Sequence, residues 1–149
     1  AMTIDATGRT ILPNKPAFRV RKTSAQTAGA DNELVTWNSI DINIGSHFSS
    51  NIFTAPVAGK YFVYSHLKMS SSQGSAHYSV SVNSAYQGGG GGYDGNNAWQ
   101  IQTGDYMQWT GMVNVSANDT IRMVLYPDGV KNALDTSTNR NHFVVYLVG

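Results

Sequence analysis

The sequence lacks several features that define common classes of protein. It contains no cysteine, which excludes disulfide bonds, thiolate metal ligands and a cysteine nucleophile. No run approaches the roughly 18 consecutive apolar residues of a membrane span, so membrane insertion is not expected. Charged residues are 13% of the chain, about half the usual fraction, and the net charge is +1. This charge is too small for the field that steers nucleic-acid binding, so no nucleic-acid partner is expected.

Recognisable catalytic motifs are also missing. There is no G-x-S-x-G segment for an activated serine, and no pair of carboxylates in an acid/base setting. Residues 90–95 match G-x-G-x-x-G, but a strand rather than a helix is predicted to follow, so a flexible connection is favoured over a dinucleotide site. The chain is therefore not expected to be an enzyme.

Most of the sequence consists of short segments in which apolar and polar residues alternate, and Gly, Asn or Asp bounds each segment. Ile40, Ile42 and Ile44 alternate with Asp41 and Asn43, which predicts a strand with one buried and one polar face. Both faces of residues 61–69 begin apolar, and residues 143–148 are apolar throughout, so each strand must be covered twice. No amphipathic segment reaches the length of a helix. The predicted class is all-β: a sandwich, jelly roll or barrel.

The four histidines are scattered and lack the i, i+4 spacing of a helical zinc motif. His66 and His77 lie in predicted strands and are expected to face each other if those strands form a hairpin. Structural hydrogen-bonded histidines are the favoured interpretation; a metal site and a pH-sensitive interface are the alternatives.

The segment FTAPVAGKYFVY at residues 53–64 resembles the globular head of the complement C1q family, a branch of the tumour-necrosis-factor-like trimers. Pro16-Ala17-Phe18 resembles the opening of that family, and residues 142–147 resemble its closing strand, with Val145 where Gly is common. Coverage runs from about residue 16 to 149, but residues 87–102 have no firm counterpart.

The resemblance implies a ten-stranded jelly-roll sandwich that assembles as a compact homotrimer, usually at the end of a fibrous stalk. Residues 16–149 would form this domain, and residues 1–15 an extended lead-in that combines a cloning remnant with the end of the stalk. Burial in a trimer agrees with the scarcity of charge, because each subunit must hide a second surface. The candidates for trimer interface or core, with no split between the two, are Phe62, Tyr64, His66, Phe143, Val145 and Leu147. The alternative is that both faces are buried within one sandwich.

Some members of that family bind calcium near the apex of the trimer. By position, Gln102 and Asp105 are the candidate ligands here. Calcium requires six to eight oxygen ligands, so other groups would have to contribute. No other cofactor is expected.

The glycine-rich middle is the candidate ligand-binding loop. Aromatic rings and amides beside flexible backbone suit sugars or peptide surfaces. The residues in question are Tyr86, Tyr93, Asn96, Asn97 and Trp99. The alternative is a solubilising linker with Trp99 in the core.

The expected function is a non-enzymatic trimeric head at the tip of a fibre, which binds a cell-surface receptor or glycan through three equivalent sites. Linking weak sites raises overall binding by roughly 10²–10⁴. In its lack of cysteine and its compact FTAPVAGKYF segment at residues 53–62, the chain resembles phage or bacterial fibre proteins. An extracellular or virion-surface location is therefore expected. The alternative function is a structural trimerisation cap without a ligand.

Overall fold

The computed structural model describes residues 3–4, 6, 10–11, 15–30, 32–71, 75–87, 99–100, 106–127, 132–134 and 140–148. Within these ranges every regular element is a β-strand. In chain order they are β1 (Thr3–Ile4), β2 (Thr10–Ile11), β3 (Ala17–Arg21), β4 (Gln26–Ala28), β5 (Glu33–Leu34), β6 (Ser39–Ile44), β7 (Phe48–Ser49), β8 (Ile52–Thr54), β9 (Gly59–Ser71), β10 (Ser75–Val82), β11 (Ala85–Gln87), β12 (Trp99–Gln100), β13 (Tyr106–Val115), β14 (Thr120–Pro127), β15 (Asn132–Leu134) and β16 (His142–Leu147).

The strands form two antiparallel sheets. Sheet A has the order β4-β15-β9-β16-β3-β6, with β13 paired to β9. Sheet B has the order β11-β10-β14-β8-β7, with β12 paired to β10 and β5 paired to β14. Within the predicted lead-in, β1 pairs only with β2 among the described strands. The prediction of an all-β sandwich is confirmed.

The core lies between the two sheets and is centred on phenylalanine. The ring of Phe18 in sheet A stacks on Phe48 and Phe53 of sheet B, with centroids 4.7 and 5.1 Å apart, and meets the edge of Phe143 at 4.8 Å. All four rings are buried. Aromatic pairs in these geometries add stabilisation beyond the burial of their area.

One polar contact crosses this core. The hydroxyl groups of Ser65 in sheet A and Tyr78 in sheet B form a hydrogen bond, and both side chains are buried. The Ser65 hydroxyl also donates to the carbonyl oxygen of His142, 3.0 Å away. Burial raises the pKa of the Tyr78 phenol, so it stays protonated and able to donate. The contact satisfies buried hydroxyl groups that would otherwise be costly.

Two hairpins turn on residues with positive φ. Asn83 and Ser84 connect β10 to β11 with φ of 48° and 67°, and Ser50 and Asn51 connect β7 to β8 with φ of 51° and 67°. Positive φ at both central residues is the requirement of a two-residue type I′ turn. Short polar side chains tolerate this conformation better than larger ones.

Candidate functional site

The surface of sheet A that faces away from the core carries large aromatic and aliphatic side chains. Alternation on β16 turns Phe143 and Val145 into the core with no exposed surface, whereas Tyr146 is 40% exposed on the other side. On β9 the same alternation buries Tyr61 and Val63 and leaves Phe62 half-buried. The strands of sheet A therefore present a second, outward row of large side chains.

Six rings lie on this outward surface, as one pair and one chain of four in contact. They come from β9, β13 and β16, and the centroids of neighbouring rings lie between 4.8 and 5.8 Å apart. Met112 lies directly opposite Phe62 on β13 and is 64% exposed. We call this set of rings the aromatic face; its members are Phe62, Tyr64, His66, Tyr106, His142 and Tyr146.

Three exposed isoleucines lie on the edge strand β6, and β3 separates them from the aromatic face; we call them the isoleucine stripe. Ile40, Ile42 and Ile44 on β6 are 58%, 46% and 41% exposed. The prediction that these three residues form a buried face is wrong. The alternation showed that the two faces of β6 differ, but not which one packs on the core. On the other face, Asn43 closes the turn after β6 through two hydrogen bonds of 3.1 Å with the backbone of Phe48.

One end of the outward surface carries charge. Arg21 donates to the Asp41 carboxylate at 2.7 and 2.8 Å, and Arg19 lies 3.4 Å from it. The hydrogen bonds from Arg21, and then the positive charges of both arginines, lower the pKa of Asp41. The register between β3 and β6 shifts at this point: Arg19 pairs with Ile42 and Val20 with Ile40, so Asp41 is the extra residue. The outward side of β3, between the isoleucine stripe and the aromatic face, is therefore charged.

At this charged end two histidines lie directly opposite each other. His66 on β9 pairs in register with His142 on β16, and their ring centroids are 5.8 Å apart. His66 Nδ1 lies 2.6 Å from the carbonyl oxygen of Arg140, so that nitrogen carries a proton and donates it. Burial, followed by the charges of His66 and Arg19, lowers the pKa of His142.

The expected contact of His66 with His77 is wrong. His77 lies on β10 in sheet B and pairs with Tyr126, whereas His66 lies in sheet A. Residues 59–71 and 75–82 therefore do not form a hairpin with each other, because the chain crosses between the sheets. The actual partner, His142, is 76 positions away, and no local spacing in the sequence indicated it.

The residues predicted as interface or core divide between the two surfaces of sheet A. Phe62, Tyr64 and His66 belong to the aromatic face. Phe143 and Val145 belong to the core, against which Leu147 is also packed.

Two of the predicted ligand-binding residues lie on strands of sheet B. Tyr86 lies on β11 opposite Ser81, and Trp99 lies on β12 opposite Ala76. Both short strands pair with the same strand, β10, whose other edge pairs with β14. The chain leaves this edge at Gln87, opposite Val80, and rejoins it four β10 residues along, about 13 Å away. Tyr93, Asn96 and Asn97 lie outside the described residues.

The predicted calcium ligands, Gln102 and Asp105, also lie outside the described residues. Within the described ranges, no group of three or more His, Asp or Glu side chains is arranged to hold a metal ion. The part of the chain that the structure describes also contains no helix with the length and hydrophobicity of a membrane span.

Comparison with solved structures identifies the fold. The globular domain of zebrafish complement 1qA protein matches with a TM-score of 0.62 and 14% identity, over 91% of this chain and 98% of that one. Murine APRIL matches with a TM-score of 0.64 and 12% identity, over 89% and 98% of the two chains. Eiger TNF from S. frugiperda matches with a TM-score of 0.63 and 10% identity, over 91% and 94%. The chain therefore has the C1q/TNF-like jelly-roll fold, as predicted.

The sequence itself gives no such match. No protein-family model matches it, and none of the curated proteins does. At identities of 10–14% the structural similarity establishes the fold alone.

Proposed function

We propose that this chain is a non-enzymatic recognition head that assembles as a homotrimer and binds a cell-surface receptor or glycan. The observation that carries the proposal is the outward surface of sheet A. Its aromatic face and isoleucine stripe both present large, partly exposed side chains, among them Met112, Tyr146 and Ile42. Exposed apolar patches of this kind mark interaction sites on soluble proteins.

Further copies of the same chain are the occupants that fit this surface. A threefold ring needs a heterologous contact, in which one patch of each copy meets a different patch of the next. Sheet A offers two such patches: the isoleucine stripe on the edge strand β6, and the cluster of Phe62, Met112 and Tyr146 near the opposite edge. Their association would also account for a composition with only 13% charged residues.

Ligand binding would then be left to a different part of the molecule. The edge of sheet B, with Tyr86 and Trp99 at the two ends of the glycine-rich stretch, is separated from the aromatic face by the core. Three copies would present three such edges, and this multiplicity strengthens binding to an array of receptors or sugars. We place the head at the tip of an extracellular or virion-surface fibre, of phage or bacterial origin.

The oligomeric state tests the first part of the proposal. Light scattering on the purified chain at neutral pH should give three times the chain mass of 16.1 kDa. Met112→Lys places a charge on the association surface at a position already 64% exposed, so the variant should fold and dissociate. Ser49→Lys, on the exposed side of β7 in sheet B, is the matched control and should remain trimeric. A wild-type chain that stays monomeric at micromolar concentration would remove the trimer.

A glycan array and a panel of intact bacteria test the second part. The wild-type chain should bind at least one array member or strain, and Tyr93→Ala and Trp99→Ala should weaken that binding in folded protein. Val57→Ala, an exposed change elsewhere on the surface, should not. Binding retained by both aromatic variants would move the site away from the edge of sheet B, and no binding at all would favour a structural cap.

A further inference from the structure

The paired histidines belong to the aromatic face, four positions along β9 and β16 from Phe62 and Tyr146 of the proposed contact patch. His66 and His142 face each other across adjacent strands, and each ring also packs on a phenol ring. The His66 ring stacks on Tyr106 at 4.8 Å, and the His142 ring lies 5.1 Å from Tyr64. Both side chains are half-buried before any second copy is added. Two imidazoles held this close repel each other if both become charged.

The charges around the pair are mostly positive in the described part of the chain. Lys68 follows His66 by two positions on β9, and the Arg140 side chain reaches over to the Tyr106 hydroxyl, 2.9 Å away. The strand β3 adds Arg19 and Arg21 beside His142. Among the described residues, Asp41 of β6 is the carboxylate near these groups, and both arginines already contact it.

We propose that the His66–His142 pair makes self-association through the aromatic face sensitive to pH, so that copies assemble at neutral pH and separate in mildly acidic solution. This inference rests on the proposed function, because it requires that copies of the chain cover the aromatic face.

The direction follows from where the protons bind. His142 already resists protonation because of its burial and the charges of His66 and Arg19. Covering the pair with another copy removes more water, which disfavours the charged form further. The assembled chain therefore binds fewer protons than the separate chain, and acid favours separation. If each chain takes up one proton on release, the trimer association constant falls about 1000-fold per pH unit, because three protons enter per trimer.

Sedimentation velocity on the full chain at pH 7.5, 6.5, 5.5 and 5.0 provides the test. We expect a trimer at pH 7.5 and mostly monomer at pH 5.0, with far-UV circular dichroism showing that the monomer is still folded. The double variant His66→Gln/His142→Gln keeps polar side chains but cannot ionise, and it should remain trimeric at pH 5.0. His47→Gln is the matched control, since His47 packs at the edge of Phe53, away from the aromatic face; it should dissociate as the wild type does.

Each outcome separates this inference from the proposed function. A wild-type trimer that persists at pH 5.0 overturns the pH switch and leaves self-association intact. Dissociation of the double variant with the wild-type pH dependence also overturns the switch. A chain that is monomeric at every pH overturns the proposed trimer, and the switch with it.

Two further outcomes require an additional measurement. If the double variant does not fold, each single replacement is measured, and the midpoint pH of dissociation should fall in at least one of them; no shift in either overturns the proposal. If the wild type unfolds by pH 5.0, the association constant is compared between pH 7.5 and the lowest pH at which the chain is folded. It must fall in the wild type more steeply than in the variants.

Discussion

The ammonium group of Lys22 donates a hydrogen bond to the backbone carbonyl oxygen of Thr36, 2.9 Å away, although the Lys22 side chain has no exposed surface. Its other two hydrogen bonds go to the Gln26 amide oxygen and the Thr36 hydroxyl, both at 3.0 Å. All three acceptors are uncharged. Burial without a carboxylate lowers the pKa of Lys22 to about 8 from its ordinary value of 10.5.

This burial predicts a stability that rises with pH. Native protein binds fewer protons than the unfolded chain between about pH 8 and 10.5, so the free energy of unfolding increases through that interval, by at most about 1.4 kcal/mol per pH unit. Urea unfolding between pH 7.5 and about pH 9.5 measures this slope; at higher pH, tyrosine ionisation in the unfolded chain opposes it. The slope should be smaller in Lys22→Met and unchanged in Lys60→Met, where the side chain is exposed. An equal slope in both variants would contradict the assignment to Lys22.

The hydrogen bond between Ser65 and Tyr78 predicts an asymmetry between two conservative substitutions. Tyr78→Phe leaves the Ser65 hydroxyl bonded to the His142 carbonyl oxygen, so the cost should be about 1 kcal/mol. Ser65→Ala strands the buried Tyr78 hydroxyl without its partner, so about 1–3 kcal/mol should be lost. Chemical denaturation of the two variants compares them directly, and a larger loss for Tyr78→Phe would be inconsistent with this account.

Gly111 is required by the ring of Trp109 on the core side of β13. A Cβ atom at Gly111 would lie 2.8 Å from Trp109 Cη2, and that ring is buried. Gly111→Ala should therefore destabilise the fold by about 1–3 kcal/mol, the usual cost of overpacking. Thr110→Ala, an exposed change on the same strand, serves as the control and should have little effect. Equal melting temperatures for both variants would show that the ring can move aside.

The two surfaces of sheet A predict different responses to protein concentration. Phe18→Ala empties part of the core and should cost about 3–5 kcal/mol at any concentration. Ile42→Ala shortens a side chain that is 46% exposed, so its effect should depend on association. In thermal melts over a hundredfold range of concentration, it should flatten the concentration dependence seen for the wild type. If Ile42→Ala instead lowered the melting temperature equally at all concentrations, the stripe would have a role in the fold of the single chain.

The fold could be predicted because its signals are local or belong to the fold class. Alternation in residues 61–69 and 143–148 located β9 and β16, and the motif at residues 53–64 indicated the jelly roll. The exposure of Ile42 could not be predicted, since alternation is the same whichever face is covered. The pairing of His66 with His142 could not be predicted either, because it depends on the register between two strands that are far apart in the chain.

The hairpin turns show a second reason why the local sequence does not predict every feature of the fold. The hairpin at Asn83 and Ser84 has the geometry for which Asn-Gly is the strongest sequence signal, but no glycine marks it. Its conformation is supported by contacts from outside the hairpin: the Asn83 amide donates to the Asp119 carboxylate at 2.6 Å and accepts from the Thr120 backbone at 2.8 Å. Such support comes from the tertiary structure and leaves no trace in the local sequence.

The edge of β10 pairs with two separate short strands, and this arrangement determines where the fold can accept changes in sequence and length. Because β11 and β12 are each held by their own pairing, the eleven residues between Gln87 and Trp99 join two fixed points. Closing a chain between fixed points becomes only about 0.6 kcal/mol harder when its length doubles. Insertions, deletions and grafted peptides should therefore be tolerated here while the sandwich stays the same, so new binding specificities can be selected without redesigning the scaffold.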